Sequence, residues 1–253
     1  MPWDFALIFA VLGVVVPWRG AVRIKQLLRQ PQLTTADRLA LYASTIAFQW
    51  VAVGVTAWRS SARGLTAQRL GLTFSQPELT IATALALAVL LSISQVFALR
   101  RLARAPADRH GFIYQMAQKL MPHNLIEGLA FVALVITVAL CEEFLYRGFV
   151  FAALQSVTPR SVLFPALGSS LMFALAHIYQ GRWGLVTTFA VGMIFAGTRI
   201  LTGNLAASIV AHLATDLVAG LMAPRLVPAR QPEEKEETEM PTPRASPRSG
   251  DCV

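Results

Sequence analysis

The stretch LIEGLAFVALVITVALCEEFLYR, residues 125–147, decides the fold class of this chain. The part before its carboxylate pair carries a single charge, Glu127, which we expect at the membrane interface. Two adjacent carboxylates, Glu142 and Glu143, and the guanidinium of Arg147 follow. A helix needs about 20 apolar residues to span a bilayer. An ionisable group at that depth costs about 2.5–3.5 kcal/mol on insertion scales, so it marks function by default.

The whole chain is apolar. Of its 253 residues, 55% are hydrophobic and 14% are charged, and the mean hydropathy is +0.54. This composition excludes an ordinary soluble domain. The apolar segments near the length of a spanning helix are 3–18, 39–58, 79–99, 125–155, 161–179, 183–201 and 205–223. The sequence therefore predicts an all-α fold, a polytopic transmembrane helical bundle of about seven (six to eight) spanning helices. We expect an integral membrane protein of the cell (plasma) membrane.

The positive charge of the chain lies beside its apolar segments. Lys and Arg number 22 against 14 Asp and Glu, a net charge of +8. In a soluble protein this excess would indicate nucleic-acid binding, but the sequence has no basic stripe interleaved with aromatic residues. The pattern predicts contacts with membrane lipids and no nucleic-acid partner. The predicted loops 19–38 and 100–124 hold more Lys and Arg than loop 59–78, so we expect the first two in the cytoplasm and 59–78 outside.

Helical spacing separates the two adjacent carboxylates. At about 100° per residue, Glu143 and Arg147 share one face of a helix and are placed to form an ion pair. Glu142 points about 100° away from that face, so the pair does not neutralise it. A carboxylate left without a counter-ion in apolar surroundings is suited to act as a general base. The alternative is a structural network of ion pairs between transmembrane helices, which leaves the second carboxylate without an explained role.

Two further polar intrusions occur downstream. His177 ends the apolar run LMFALA, and His212 and Asp216 lie four residues apart on one helix face. Glu142 lies 18 residues before Arg160, in the next turn, and His177 lies 17 residues after it (160 − 142 and 177 − 160). In antiparallel helices that rise ~1.5 Å per residue, these two side chains have nearly the same depth. The same count does not bring His212 to that depth. Taken singly, each histidine is equally compatible with a structural hydrogen bond.

These residues resemble the three motifs of the CAAX prenyl protease and bacteriocin-processing family of intramembrane peptidases, also called the abortive-infection family. The motifs, in order and each in an apolar segment, are Glu142-Glu143-x-x-x-Arg147, Phe173-x-x-x-His177 and His212-x-x-x-Asp216. The resemblance covers about residues 120–223 and implies an all-helical hydrolase, an endopeptidase that cleaves peptide bonds within or beside the bilayer. It implies that Glu142 activates the attacking water with help from His177, and that His212 and Asp216 lie at the developing oxyanion.

Composition and this resemblance divide the chain into three parts. Residues 1–119 hold N-terminal transmembrane helices and basic loops. Residues 120–223 form the catalytic core of an intramembrane peptidase. Residues 224–253 are rich in Pro and Glu, and we expect them to form a disordered tail.

The resemblance leaves the use of a metal open. The family is often described as metalloproteases, and Glu142, His177 and His212 would make a three-ligand Zn²⁺ site with an open position. The sequence has no H-E-x-x-H motif, and the alternative, which we prefer, is a water activated by glutamate without a metal. The third motif of the family ends in Asn or Asp. An ionised Asp216 would repel an oxyanion, so it must be protonated, orient His212 or bind a metal.

Two functions from other classes compete with an intramembrane protease. A non-catalytic immunity or scaffold protein on the same fold would keep its phenotype without Glu142 and His177. A proton-coupled transporter would use the buried charges as a relay, but the sequence shows no inverted repeats or paired broken helices. The partners predicted for the endopeptidase are a peptide or membrane-protein substrate and membrane lipids.

Overall fold

The computed structural model describes residues 1–106 and 111–227. In this part of the chain eight helices follow one another without any strand. They are α1 (Trp3–Arg29), α2 (Thr35–Ala62), α3 (Pro77–Ala103), α4 (Phe112–Lys119), α5 (Leu125–Val157), α6 (Leu163–Ala176), α7 (Gly181–Thr202) and α8 (Ala206–Leu226). The predicted all-α class is confirmed.

Six of the helices in the described ranges are long and apolar enough to cross a membrane, and they are α1, α2, α3, α5, α7 and α8. The chain is therefore an integral membrane protein, and its number of spans lies within the predicted range. The predicted span 161–179 is too long, because α6 has 14 residues. Such a helix rises about 21 Å, less than the ~30 Å of the hydrocarbon core. The chain turns back after His177, and Gly181 supplies the positive φ of 78° for this turn.

The first helix is longer than the predicted span 3–18, because it continues to Arg29. Its middle, Val11–Val15, is a π-helical turn just before Pro17. Proline has no N–H, and its ring clashes with the carbonyl group four residues earlier, so a wider turn lets the helix pass it. The basic residues of segment 19–38 therefore lie mostly on a helix rather than on a loop.

Helices α2 and α5 run side by side in the same direction. Arg38 joins Glu127 near the start of both helices, and Gln49 joins Glu142 further along. Glu127, which we expect at the membrane interface, lies in the first turn of α5 and is fully buried against Arg38, with which it forms an ion pair. Helices α3 and α8 also run parallel, and α6 and α7 form an antiparallel hairpin.

Burial in α2 is inverted relative to a helix of a soluble protein. Its buried residues are polar or amphipathic, and they are Arg38, Tyr42, Gln49, Thr56 and Ser60. They follow one another at intervals of four or seven residues and so share one helix face. Large apolar side chains of the same helix, such as Phe48, Trp50 and Val51, are exposed. We name the buried set the α2 polar stripe; it turns polar groups inward and leaves the apolar face for lipid.

The last helix passes the predicted start of the tail. Helix α8 continues to Leu226, three residues into the segment 224–253 (224, 225 and 226). The remainder of the predicted tail, from residue 228 onward, lies outside the described residues. The predicted boundary near residue 120 falls between the end of α4 and the start of α5.

Candidate active site

Helix α5 changes its winding at the two adjacent carboxylates. The segment Leu125–Glu142 is α-helical, Glu143–Val150 is a π-helix and Phe151–Val157 is α-helical again. All residues of the π segment are buried. The two carboxylates contact different helices, since Glu142 bonds to a residue of α2 and Glu143 to a residue of α8. Such π segments within α-helices occur frequently at functional sites.

The ion pair predicted between Glu143 and Arg147 is confirmed. Arg147 Nη1 donates to Glu143 Oε1 over 3.1 Å, and both side chains are fully buried. The guanidinium carbon lies 4.0 Å from the centre of the Phe173 ring and 5.3 Å from that of Phe195. A desolvated cation–π contact is worth about 2 kcal/mol, so the two rings help to retain a charged arginine inside the bundle.

Arg147 keeps hydrogen-bond donors that nothing in the described chain uses. Its Nε and Nη2 atoms have no partner there, and neither has the buried hydroxyl group of Ser170. Both residues lie against Gly192. A Cβ atom at this glycine would be 3.2 Å from Arg147 Nη2 and 3.0 Å from Ser170 Cβ. The missing side chain at position 192 therefore gives the guanidinium its space.

Glu142 has one bonded oxygen and one free oxygen. Gln49 donates from Nε2 to Glu142 Oε1 over 2.9 Å. Glu142 Oε2 is buried and has no hydrogen-bond partner among the described residues. A buried oxygen of this kind costs free energy and requires an explanation, such as a bound water or a chemical role. The prediction that Glu142 stays outside the Glu143–Arg147 pair is confirmed.

His212 lies between two carboxylates. Its Nδ1 atom is 3.2 Å from Glu143 Oε1, and its Nε2 atom is 3.5 Å from Asp216 Oδ2. The rings of Phe195 and Phe173 lie beside the imidazole, with centroid distances of 5.6 and 6.0 Å. The Asp216 side chain is 34% exposed, so this edge of the cluster is the open one. The depth expected from residue spacing did not place His212 near Glu142. Its contact with Glu143 makes it part of the cluster.

His177 lies at the end of α6, where the chain turns back. Its Nδ1 atom is 2.9 Å from the carbonyl oxygen of Phe173. A carbonyl oxygen only accepts, so Nδ1 carries the proton and Nε2 of the neutral ring can accept one. The imidazole also interacts electrostatically with Asp216. In the part of the chain described here no hydrogen bond joins His177 to Glu142, whose bonded neighbour is Gln49.

Electrostatic interactions connect the remaining members of the cluster. Glu142 interacts with His212 and Asp216 on α8. It also interacts with the phenol groups of Tyr146 and Tyr179. The residues predicted for the site, Glu142, Glu143, Arg147, His177, His212 and Asp216, are therefore linked to one another by contacts or charge. The structure leaves none of these six residues apart from the others.

The cluster does not fit a metal site. Among residues 1–106 and 111–227, no three His, Cys, Asp or Glu side chains converge as ligands of one ion. Both ring nitrogens of His212 face carboxylates, and Glu142 Oε1 is bonded to an amide. The set considered for Zn²⁺, Glu142 with His177 and His212, is thus not assembled around a common point.

A comparison with protein families covers the segment of the chain that holds this cluster. Residues 124–218 match the family described as type II CAAX prenyl endopeptidase Rce1-like. This part of the chain is similar to a CAAX-protease-like domain. The match begins just before α5 and ends within α8, so it contains every residue of the three motifs. Proteases make up this family, and the match supports a membrane peptidase. No curated protein and no solved structure matches the chain significantly.

One residue at the site lies outside the matched segment. Gln49, on α2, is bonded to Glu142 and was not among the predicted site residues. The signal for it was available in the sequence. Gln49 belongs to the α2 polar stripe, and polar residues repeated every four or seven positions in an apolar span indicate a face turned into the protein.

Proposed function

We propose that this CAAX-protease-like protein is an intramembrane endopeptidase of the cell membrane that cleaves membrane-associated proteins or peptides. The proposal is carried by Glu142. Its Oε1 atom is bonded to Gln49, whereas its buried Oε2 atom has no partner in the described chain. The charges of His212 and Asp216 act on the same carboxylate. A positioned carboxylate with one open oxygen is a suitable proton acceptor for an attacking water.

In the proposed reaction, Glu142 acts as a general base and then as a general acid. Oε2 takes a proton from water while the water oxygen attacks the carbonyl carbon of the scissile peptide bond. The tetrahedral intermediate collapses, the C–N bond breaks, and Glu142 returns the proton to the leaving amine. His177 Nε2 helps to orient the water, because Nδ1 is already bonded to the Phe173 carbonyl group.

In the same proposal, His212 and Asp216 form the oxyanion side of the site. The Nε2–H group of His212, at the partly exposed edge beside Asp216, would stabilise the negative oxygen, as preorganised donors do in acyl transfer, whereas Nδ1 stays bonded to Glu143. The 3.5 Å distance from Asp216 Oδ2 to His212 Nε2 supports the alternative in which Asp216 orients the ring. Glu143 Oε1 contacts both Arg147 Nη1 and His212 Nδ1, so the ion pair holds the other edge of the imidazole.

Two substrate classes follow from different observations. The description of the matched family names CAAX prenyl endopeptidases, so a prenylated C-terminal peptide is the first class. The apolar surroundings of the site make a peptide with a transmembrane segment the second. The proposed chemistry needs no metal, because Glu142 acts as the base toward water and His212 as the oxyanion donor.

The test uses the full chain purified in detergent and reconstituted into liposomes. The probes are a quenched fluorescent peptide with a farnesylated CAAX end and a set of quenched transmembrane peptides. We expect wild-type protein to cleave at least one probe and Glu142→Gln to cleave none. Glu78→Gln is the matched control, since Glu78 is an exposed carboxylate on α3 and should not matter. Full cleavage by Glu142→Gln would falsify the role of Glu142.

The same preparation tests the metal. We expect no stoichiometric zinc, and cleavage that a chelator does not abolish. One zinc per chain, removed together with activity by the chelator, would overturn the metal-free mechanism. A phenotype that survives Glu142→Gln in a protein that cleaves no probe would favour the non-catalytic immunity or scaffold function.

A further inference from the structure

Gln49 joins the part of the chain without a family match to the proposed catalytic carboxylate. Its Nε2 atom donates to Glu142 Oε1 over 2.9 Å, across 93 residues of sequence. Among the described residues it is the one hydrogen-bond donor to Glu142. The matched segment starts at residue 124, so the family match assigns nothing to Gln49.

The surroundings of Gln49 make a buried amide costly. The side chain is 8% exposed, whereas its neighbours Phe48, Trp50 and Val51 are large, apolar and exposed. An amide transferred from water to an apolar environment loses free energy unless a hydrogen bond compensates for it. Here the hydrogen bond goes to Glu142, so the amide and the carboxylate each depend on the other.

Packing between α2 and α5 does not require this bond. Near the start of the two helices, Arg38 and Glu127 form a fully bonded ion pair, and the rings of Tyr42 and Phe131 pack at 5.7 Å. These contacts fix the register of the two helices without Gln49. An apolar residue of the same length would fill the position of Gln49 and keep the helices together.

We propose that Gln49 is a positioning residue that holds the Glu142 carboxylate in its reactive orientation. By occupying Oε1, the amide leaves Oε2 as the single oxygen that can take a proton from water. Both bonding partners lie on long helices, so the carboxylate is held by rigid elements, as a preorganised site requires. This inference rests on the proposed function, since it assigns Glu142 as the base.

The consequence is that the matched segment does not hold the complete site. The helix α2 contributes through Gln49 to a site whose other members lie on α5, α6 and α8. The N-terminal helices then have a role in the chemistry and do not merely anchor the protein in the membrane. A chain that keeps the three motifs but changes position 49 should be a slow enzyme with a normal fold.

The test replaces the amide donor and separates kcat from KM. Gln49→Met keeps the length of the side chain and removes the donor. We expect kcat on the fastest-cleaved quenched peptide to fall about 10- to 100-fold, the effect of losing a hydrogen bond to a charged group, with KM changed less than about twofold. Thr56→Val is the matched control, since Thr56 is another buried member of the α2 polar stripe. It should leave kcat unchanged.

A second variant guards against a failure to fold. Gln49→Glu is nearly isosteric and polar, but it places a second carboxyl group beside Glu142. When both groups are ionised they repel each other, and when they share a proton the basicity of Glu142 is lost, so kcat should again fall at least about 10-fold. A wild-type kcat in a folded Gln49→Met or Gln49→Glu would overturn the proposal. A double-mutant cycle with Glu142→Asp sharpens this result. The shorter Asp withdraws from the amide, so Gln49→Met should cost much less in that background than in the wild type.

Infrared difference spectra provide a readout that does not depend on cleavage. The spectrum of wild type minus Glu142→Gln identifies the carboxylate stretch of Glu142, and Gln49→Met should shift that band while Thr56→Val leaves it in place. If no probe is cleaved but the band shifts, the proposed function fails and the positioning by Gln49 stands. If Glu142→Gln abolishes cleavage while Gln49→Met changes neither kcat nor the band, the positioning fails alone.

Discussion

Helix α5 carries two buried carboxylate centres that differ in how completely they are bonded. Near its start, Glu127 accepts hydrogen bonds from Arg38 at 2.8 and 2.9 Å. The side chains of Thr35 and Asn124 and the backbone N–H of His123 donate to the same carboxylate at 2.6 to 2.9 Å. Both oxygens of Glu127 are used, and the group is a closed unit that ties α2 to α5.

The second centre, around Glu142 and Arg147, is only partly bonded. Glu142 keeps one unpartnered oxygen, and Arg147 keeps two unpartnered nitrogens within the described chain. An incompletely bonded polar network in a low dielectric costs stability that an apolar core would not. The difference teaches that the first centre stabilises the fold, whereas the second retains open polar atoms for which stability gives no reason. The proposed chemistry on a bound substrate would give one.

Neutralising Glu142 in the partly bonded second centre should have the largest effect. Glu142→Gln should lower cleavage by about 10³-fold, within the range contributed by a positioned general base. The free energy of unfolding in detergent should not fall, because a partly buried charge without an ion-pair partner has been removed. A stability loss above about 1 kcal/mol would show instead that Glu142 supports the fold.

Neutralising Glu127 in the fully bonded first centre should instead lower stability and leave cleavage nearly unchanged. Glu127→Gln leaves Arg38 buried without its counter-ion, and breaking a buried pair in this way costs about 3–5 kcal/mol. Unfolding in mixed micelles should therefore occur at a clearly lower denaturant concentration than for Glu78→Gln. Cleavage per folded molecule should change little. Unchanged stability in Glu127→Gln would remove the distinction between the two centres.

Two glycines of α7 test whether Arg147 needs its space. In Gly192→Ala the new Cβ would lie 3.0 Å from Ser170 Cβ and 3.2 Å from Arg147 Nη2. This overpacking should cost about 1–3 kcal/mol. Cleavage should also fall, because a displaced Arg147 would shift Glu143 and, through it, His212. Gly197→Ala is the control on the same helix, since no described atom lies within 4 Å of its added Cβ. It should be neutral or slightly stabilising.

Arg147→Lys tests the smallest contribution, the planar shape of the guanidinium. The positive charge beside Glu143 is retained, but the contacts with the rings of Phe173 and Phe195 are weakened. We expect a loss of about 0.5–2 kcal/mol, measured as a shift of the unfolding midpoint. Arg160→Lys, at an exposed position, is the control. Equal stability of the two variants would mean that the positive charge at position 147, and not the planar guanidinium, stabilises the second centre.

Much of the fold could be predicted from the sequence because it depends on local properties. A run of apolar residues sets a helix in the membrane, and a four-residue interval fixes the Glu143–Arg147 pair. The short helix α6 was not predicted, because an apolar run shows where hydrophobicity ends but not where the chain turns. Likewise, the burial of Glu127 depends on Arg38, 89 residues away, and no local pattern reports such a partner.

The same distinction between local and long-range interactions applies to the candidate site. The sequence by itself determined an all-helical membrane protein and the three motifs, because helical period and hydrophobicity act over neighbouring residues. Only the tertiary structure decided that Glu142 bonds to Gln49 and that Glu143 bonds to His212, over sequence separations of 93 and 69 residues. It also set which oxygen of Glu142 stays open. Such contacts depend on which helices pack together and at what depth, and that is a property of the whole bundle.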